Sequence, residues 1–169
     1  MTQRETRERF HPERLGAHHV TSEFDCGVPS LNAWLVRSAL TAQSKRVAAV
    51  EVWADGDRVL AYFAISPTSV SGAGVPASAS TGLEVIPAYL LGKLALDRSL
   101  HGRGLGARLL TQALRRVLAA ADRAGGRLLV VDAIDDAAAR FYRHFGFIPI
   151  EGTNRLYMKV ATIRKTKPL

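Results

Sequence analysis

Residues 94–110 read LALDRSLHGRGLGARLL, and this stretch decides the fold. An apolar run ends at Asp97 and a polar turn follows. Gly102, Gly104 and Gly106 then alternate with Arg103 and Leu105 before leucines return at helical spacing. Glycine lets a backbone approach a ligand closely and lets successive N–H groups point at one anion. A helix start adds about half a positive charge, and Arg103 adds a side-chain cation. A diphosphate suits such a turn, and several kinds of diphosphate binder are open. A dinucleotide turn needs G-x-G-x-x-G, whereas here the third glycine comes one residue early. A P-loop needs a Lys followed by Ser or Thr, and none follows.

Outward from the turn, Leu105, Leu109, Leu110, Ala113, Leu114, Val117 and Leu118 predict a helix from Gly104 to Gly125. Its polar face carries Arg108, Gln112, Arg115, Arg116 and Arg123. RLLVVDA at 127–133 reads as a strand buried on both faces. DDAAARFYRHFG at 135–146 reads as a short helix, with Asp135 or Asp136 at its N-cap and Gly146 just past its end. FIPI and RLYMKVA, beginning at Phe147 and Arg155, read as a closing pair of strands. Upstream, residues 24–46 read as a turn and one helix, with Pro29 and Ser30 near the start and Leu31, Trp34, Leu35 and Ala39 on one face. Residues 47–67 form a hairpin about Asp55-Gly56-Asp57, its second strand ending at Pro67. Small residues from Ser71 to Glu84 read as the one mobile loop. The order predicts an α/β fold with a mixed sheet, in a single domain over residues 1–169 whose 1–16 and 161–169 are flexible basic tails.

The net charge is +8. Residues 1–14 hold four arginines against three glutamates, and Arg164, Lys165 and Lys167 add three cations, so the body keeps +4. That excess points to a polyanionic partner or an anionic cofactor. The one cysteine, Cys26, excludes an internal disulfide and a cysteine-rich metal site. No apolar run approaches the ~20 residues that span a bilayer. The charged N-terminus has no secretory signal, so a cytoplasmic protein is expected.

His101-x-x-Gly104-x-Gly106 resembles the pyrophosphate loop Q/R-x-x-G-x-G/A of acyl-CoA-dependent N-acyltransferases, with His at the first position. DAIDDAAARFYRHFGF resembles the last block of the GNAT acetyltransferase family, in the family's order and at about its separation from the loop. FDCGVPSLNAWL, AYFAISPTSV and IPAYLLGKLALD further resemble the acetyltransferase toxins of bacterial type II toxin–antitoxin modules, from about Val20 to Val160. Cys26-Gly27 and Trp34 have plain physical roles in that block, a buried thiol in a turn and a core aromatic.

The resemblance implies a GNAT fold in which two central parallel strands splay apart and acetyl-CoA lies over one of them. Leu94, Ala95 and Leu96 would pair with its pantetheine, and His101, Gly102, Arg103, Gly104, Leu105 and Gly106 would hold its diphosphate. Asp135, Ala138 and Phe141 would complete that site, Asp135 as a helix cap. Tyr142 would be the acid that protonates the leaving thiolate, and no metal takes part. No side chain stands out as a general base. An esterified α-amine is substantially neutral at pH 7, which favours an aminoacyl acceptor over a lysine. The toxins acetylate the α-amine of aminoacyl-tRNA and block translation. Arg37, Lys45, Arg46, Lys93, Arg140 and Arg143 are the candidate tRNA contacts. The implied partners are a ribbon-helix-helix antitoxin, a second copy of the chain in a homodimer, and operator DNA only through the antitoxin complex. The rivals are a GNAT enzyme for a small amine or a protein N-terminus, and a non-catalytic CoA-binding module.

Overall fold

The computed structural model describes residues 2–165. Lys167, in the expected C-terminal tail, lies outside the described residues. The elements run α1 (Gln3–Arg9), β1 (Glu13–Arg14), α2 (Pro29–Arg37), α3 (Ala39–Ser44), β2 (Ala49–Asp55), β3 (Arg58–Ser71), α4 (Ala77–Ser80) and β4 (Val85–Leu96). Then follow α5 (Leu105–Ala124), β5 (Leu128–Asp132), α6 (Asp136–His144), β6 (Ile148–Pro149), β7 (Arg155–Lys159) and α7 (Val160–Lys165). The strands form one mixed sheet in the order β1-β2-β3-β4-β5-β7-β6. The pair β4–β5 is parallel, while β1–β2, β2–β3, β5–β7 and β6–β7 are antiparallel.

The chain divides into two compact units. The first takes in the chain up to Ile65 with Lys93–Gln112, and the second takes Ser66–Gly92 with the chain from Ala113 onward. In the first, Leu35 and Ala39 from the helices pack with Val50, Val52, Tyr62, Ala64 and Ala95. In the second, Leu128 and Val130 of β5 join Ile86, Ala88, Val70, Ile150 and Tyr157. The continuous apolar run of β5 is buried from Leu128 to Val131, as a strand covered on both faces requires. Its ladder with β4 runs from Ala88↔Leu128 to Leu91↔Val131. β5 stops at Asp132 while β4 continues to Leu96, so β4 overhangs its parallel neighbour at the end that leads into the glycine turn.

Several expectations are corrected. The N-terminal segment is folded, not a trailing tail: α1 carries a capping box of Thr2 and Glu5, and Phe10 and Leu15 are buried. At the other end Ile163 of α7 is buried, so residues 160–165 also pack. β3 passes through Pro67 to Ser71, because β2 pairs with it only as far as Ile65 and Pro67 owes that side no N–H. The first helix breaks at Ser38 into α2 and α3. Residues 71–84, expected as a mobile loop, hold a 3-10 turn (Gly72–Gly74) and α4, with Ala79 fully buried. The Gly72 N–H donates to the Glu84 carbonyl at 2.8 Å, and the Arg127 side chain reaches the carbonyls of Ala79 and Ser78 at 2.6 and 3.3 Å. Small residues here allow close packing.

The turn after β4 is built around Asp97. Its N–H donates to the Leu60 carbonyl at 2.8 Å. Its carboxylate accepts from the Asp25 N–H at 3.0 Å, the Ser99 N–H at 3.1 Å and the Ser99 hydroxyl at 2.7 Å. The Arg98 N–H returns a bond to the Asp25 carbonyl at 2.8 Å, and its guanidinium pairs with the Asp25 carboxylate at 3.3 Å. Burial pushes the Asp97 carboxyl up, but these donors outweigh it and hold the group below its ordinary value.

Replacing Gly72 by Ala puts a Cβ 1.8 Å from the Leu83 carbonyl oxygen. Gly72→Ala therefore loses about 3 kcal/mol, read by urea unfolding. A depressed folded-state carboxyl stabilises the fold above its unfolded pKa and loses that contribution as pH falls through the folded value. Asp97→Asn is accordingly less stable than the parent by about 2 kcal/mol at pH 7. The gap narrows below about pH 4 in melts of the two proteins across pH.

Candidate active site

The site residues read from the sequence fall into two groups. In the first unit, Ala95 points into the core while Leu94 and Leu96 are half-buried. The Leu96 carbonyl accepts from His101 Nε2 at 2.8 Å; a carbonyl only accepts, so Nε2 carries the hydrogen. His101 thus ties the end of β4 to the loop that follows. Gly102 and Gly104 have φ of +73° and +71°, which glycine adopts without strain. A Cβ at either would meet nothing within 4 Å, so the conformation demands glycine and the space beside the loop is open. Among the described residues, the N–H groups of Gly102, Arg103 and Gly104 meet no backbone acceptor. Leu105 then opens a 20-residue helix, whose first four N–H groups have no acceptor within the helix. Arg103 is exposed. This cluster of unpaired donors with one guanidinium matches the chemistry of a diphosphate.

The N-terminal block is scaffold. The Cys26 N–H donates to Asn32 Oδ1 at 2.9 Å, and its thiol lies 3.6 Å from the Val28 carbonyl. Burial pushes that thiol up, away from the thiolate a nucleophile needs. The Trp34 ring stacks on Tyr62 with centroids 6.0 Å apart, and Tyr62 donates to the Leu31 carbonyl at 2.7 Å. Lys93 Nζ lies 5.4 Å over the Trp34 ring. Arg37, Lys45 and Arg46 are exposed on and after α2 and α3.

In the second unit, Asp135 caps α6, its Oδ1 accepting from the Ala138 N–H at 2.8 Å. Phe141 meets Tyr142 edge-on at 5.4 Å, and Phe147 meets it from elsewhere at 5.4 Å. Tyr142 is 9% exposed. Burial pushes its hydroxyl up to about 12. No hydrogen bond to a described residue engages that hydroxyl, and no buried side-chain polar atom goes without a partner, so the hydroxyl is the part that solvent reaches. The phenol is locked in place with its proton held on an accessible oxygen. Arg140 and Arg143 are exposed on the same helix. A cavity of about 420 Å³ beside the start of α6 is lined by Asp135, Asp136, Arg143, Asn154 and Arg155. Arg155 forks onto Asp132 at 2.9 and 3.2 Å.

Sequence reasoning missed a set of contacts on α5. Arg108 and Gln112, read as its solvent face, both donate to the Phe10 carbonyl, at 3.1 and 2.9 Å. Their signal was Phe10 itself, an apolar residue alone in a charged stretch.

Residues 47–149 match the model of the acetyltransferase (GNAT) domain. The tRNA-acetylating toxin of Mycobacterium tuberculosis is 34% identical over 148 residues, which cover 87% of this chain and 89% of that protein. The solved structure of AtaT complexed with acetyl-methionyl-tRNAfMet superposes with a TM-score of 0.84 at 29% identity, covering 92% of this chain and 98% of that one. A tyrosine-to-phenylalanine mutant of AtaT, bound to the C-terminus of the antitoxin AtaR and acetyl-CoA, gives a TM-score of 0.81 at 27% identity over 93% and 97%. A mixed sheet with an overhanging parallel strand, the open glycine loop and these likenesses agree: the chain belongs to the GNAT acetyltransferase family.

Proposed function

We propose that this protein transfers acetyl from acetyl-CoA to the α-amine of an amino acid esterified to tRNA, and so blocks translation until an antitoxin neutralises it. The observation that carries the donor half is the open loop at residues 102–104, with unpaired N–H groups at the start of a long helix. The 34% identity to a tRNA-acetylating toxin supports the acceptor half.

Acetyl-CoA supplies a thioester carbonyl open to attack by a neutral amine. The N–H groups from Gly102 to Gly106 and the Arg103 guanidinium bind the diphosphate. Backbone groups of Leu94–Leu96 hold the pantetheine, and an N–H there receives the negative charge that gathers on the carbonyl oxygen. The new N–C bond forms as C–S breaks, and Tyr142 gives its proton to the departing sulfur. Water takes the proton released by the amine, and solvent restores the phenol. An ester-linked α-amine is largely neutral at pH 7 and needs no strong base.

Arg37, Lys45, Arg46, Lys93, Arg140 and Arg143 track phosphates of the tRNA in this reading, and their exposure and charge support it. A basic surface also fits an antitoxin with an acidic helical tail, of ribbon-helix-helix type, through which alone the chain would reach operator DNA. We take the protein to be a homodimer acting in the cytoplasm, where charged tRNA is found. No described helix is long and apolar enough to cross a membrane.

The test incubates the purified protein with total charged tRNA and radiolabelled acetyl-CoA. Label enters the RNA fraction and leaves it on mild alkaline cleavage of the ester, and Tyr142→Phe lowers the rate at least about 100-fold. Acetylation of small amines or peptides with no label in tRNA would overturn the acceptor. Unchanged kinetics in Tyr142→Phe would remove the tyrosine from the mechanism.

A further inference from the structure

The N-terminal segment closes a small ring of contacts around the start of α5. The Phe10 ring lies 5.0 Å from that of Trp53, and the two residues are 1% and 0% exposed. Trp53 Nε1 donates to Gln112 Oε1 at 2.6 Å, and Gln112 Nε2 donates to the Phe10 carbonyl at 2.9 Å. An indole N–H only donates and a carbonyl only accepts, so one orientation of the Gln112 amide satisfies both. Arg108 Nε adds a second donor to the same carbonyl at 3.1 Å. Arg9 lies 5.3 Å over the outer partner, the Phe10 ring, and the Phe10 N–H closes α1 by donating to the Thr6 carbonyl at 2.9 Å.

Arg108 and Gln112 stand on the first and second turns of α5, directly after the loop whose N–H groups receive the diphosphate. Where those groups point depends on where the helix begins, and displacement by about 1 Å is costly to binding geometry. We infer that Gln112 and Phe10 are positioning residues for acyl-CoA: residues 2–10 latch α5 against Trp53, and latching and diphosphate binding favour each other. This rests on the reading of the loop as the acetyl-CoA site. Coupling of this kind is reciprocal, so CoA must tighten the latch by the factor by which the latch tightens CoA.

The experiment compares the full-length protein with Gln112→Leu. Calorimetric titration with CoA gives a Kd about tenfold weaker in the variant, and KM for acetyl-CoA rises about tenfold while kcat stays within about twofold. Trypsin cleavage after Arg9, which requires Phe10 to leave its site, slows about tenfold under saturating CoA in the parent and less than about twofold in the variant. Trp53→Phe keeps the ring contact, removes the donor to Gln112 and shows the same pattern at about threefold; it decides the matter if Gln112→Leu does not fold. A folded variant whose Kd stays within about twofold of the parent, or a parent cleaved equally fast with CoA, overturns the latch. A parent that binds no CoA at all overturns the donor site itself.

Discussion

A carboxylate that is 5% exposed keeps its charge only when donors replace the water it has lost, and Asp97 is such a group. One of its donors, the Asp25 N–H, lies 72 residues away in sequence. Ser99 serves one carboxylate oxygen locally, and the other gains its donor only when the N-terminal turn has arrived. Arg98 ties the same two segments again, through its backbone N–H and its guanidinium. Asp25 spends its remaining acceptor capacity on the Gly27 N–H and the Asn32 amide, each at about 3 Å. The FDCG block thus braces the segment that leads into the glycine loop.

The two groups of candidate site residues are built by opposite means. The candidate anion site presents backbone N–H groups that meet no backbone acceptor, beside open space, so its form comes from chain conformation. The proposed proton donor, Tyr142, is one side chain clamped between aromatic rings, with its acidity suppressed by burial. The first is spread over several backbone groups, whereas the second rests on a single oxygen.

How much the sequence disclosed follows the range of the forces involved. The loop, α5, the hairpin and the cap of α6 rest on turn chemistry and periodicity within a few residues, and each was readable. Asp135 shows this well, since its bond to Ala138 spans three residues. Gln112 was misread because periodicity assigns polar residues to solvent, while its partners Phe10 and Trp53 are 102 and 59 residues away. The segment 71–84 was misread for a related reason: part of its order comes from Arg127 and from the core around Ala79, which no local pattern announces. Tyr142 and the loop were singled out through family motifs. The perch of Lys93 on Trp34 depends on two distant elements meeting, so the sequence offered the charge without its setting.

The sheltered thiol has a consequence for the conditions under which the protein works. Cys26 is 7% exposed, its acidity is reduced by burial, and it is the one sulfhydryl in the chain. Oxidants and alkylating agents act on exposed thiolates. Such reagents therefore meet little thiolate on this protein. In the proposed reaction the attacking nitrogen belongs to the acceptor, and no sulfur on the protein takes part.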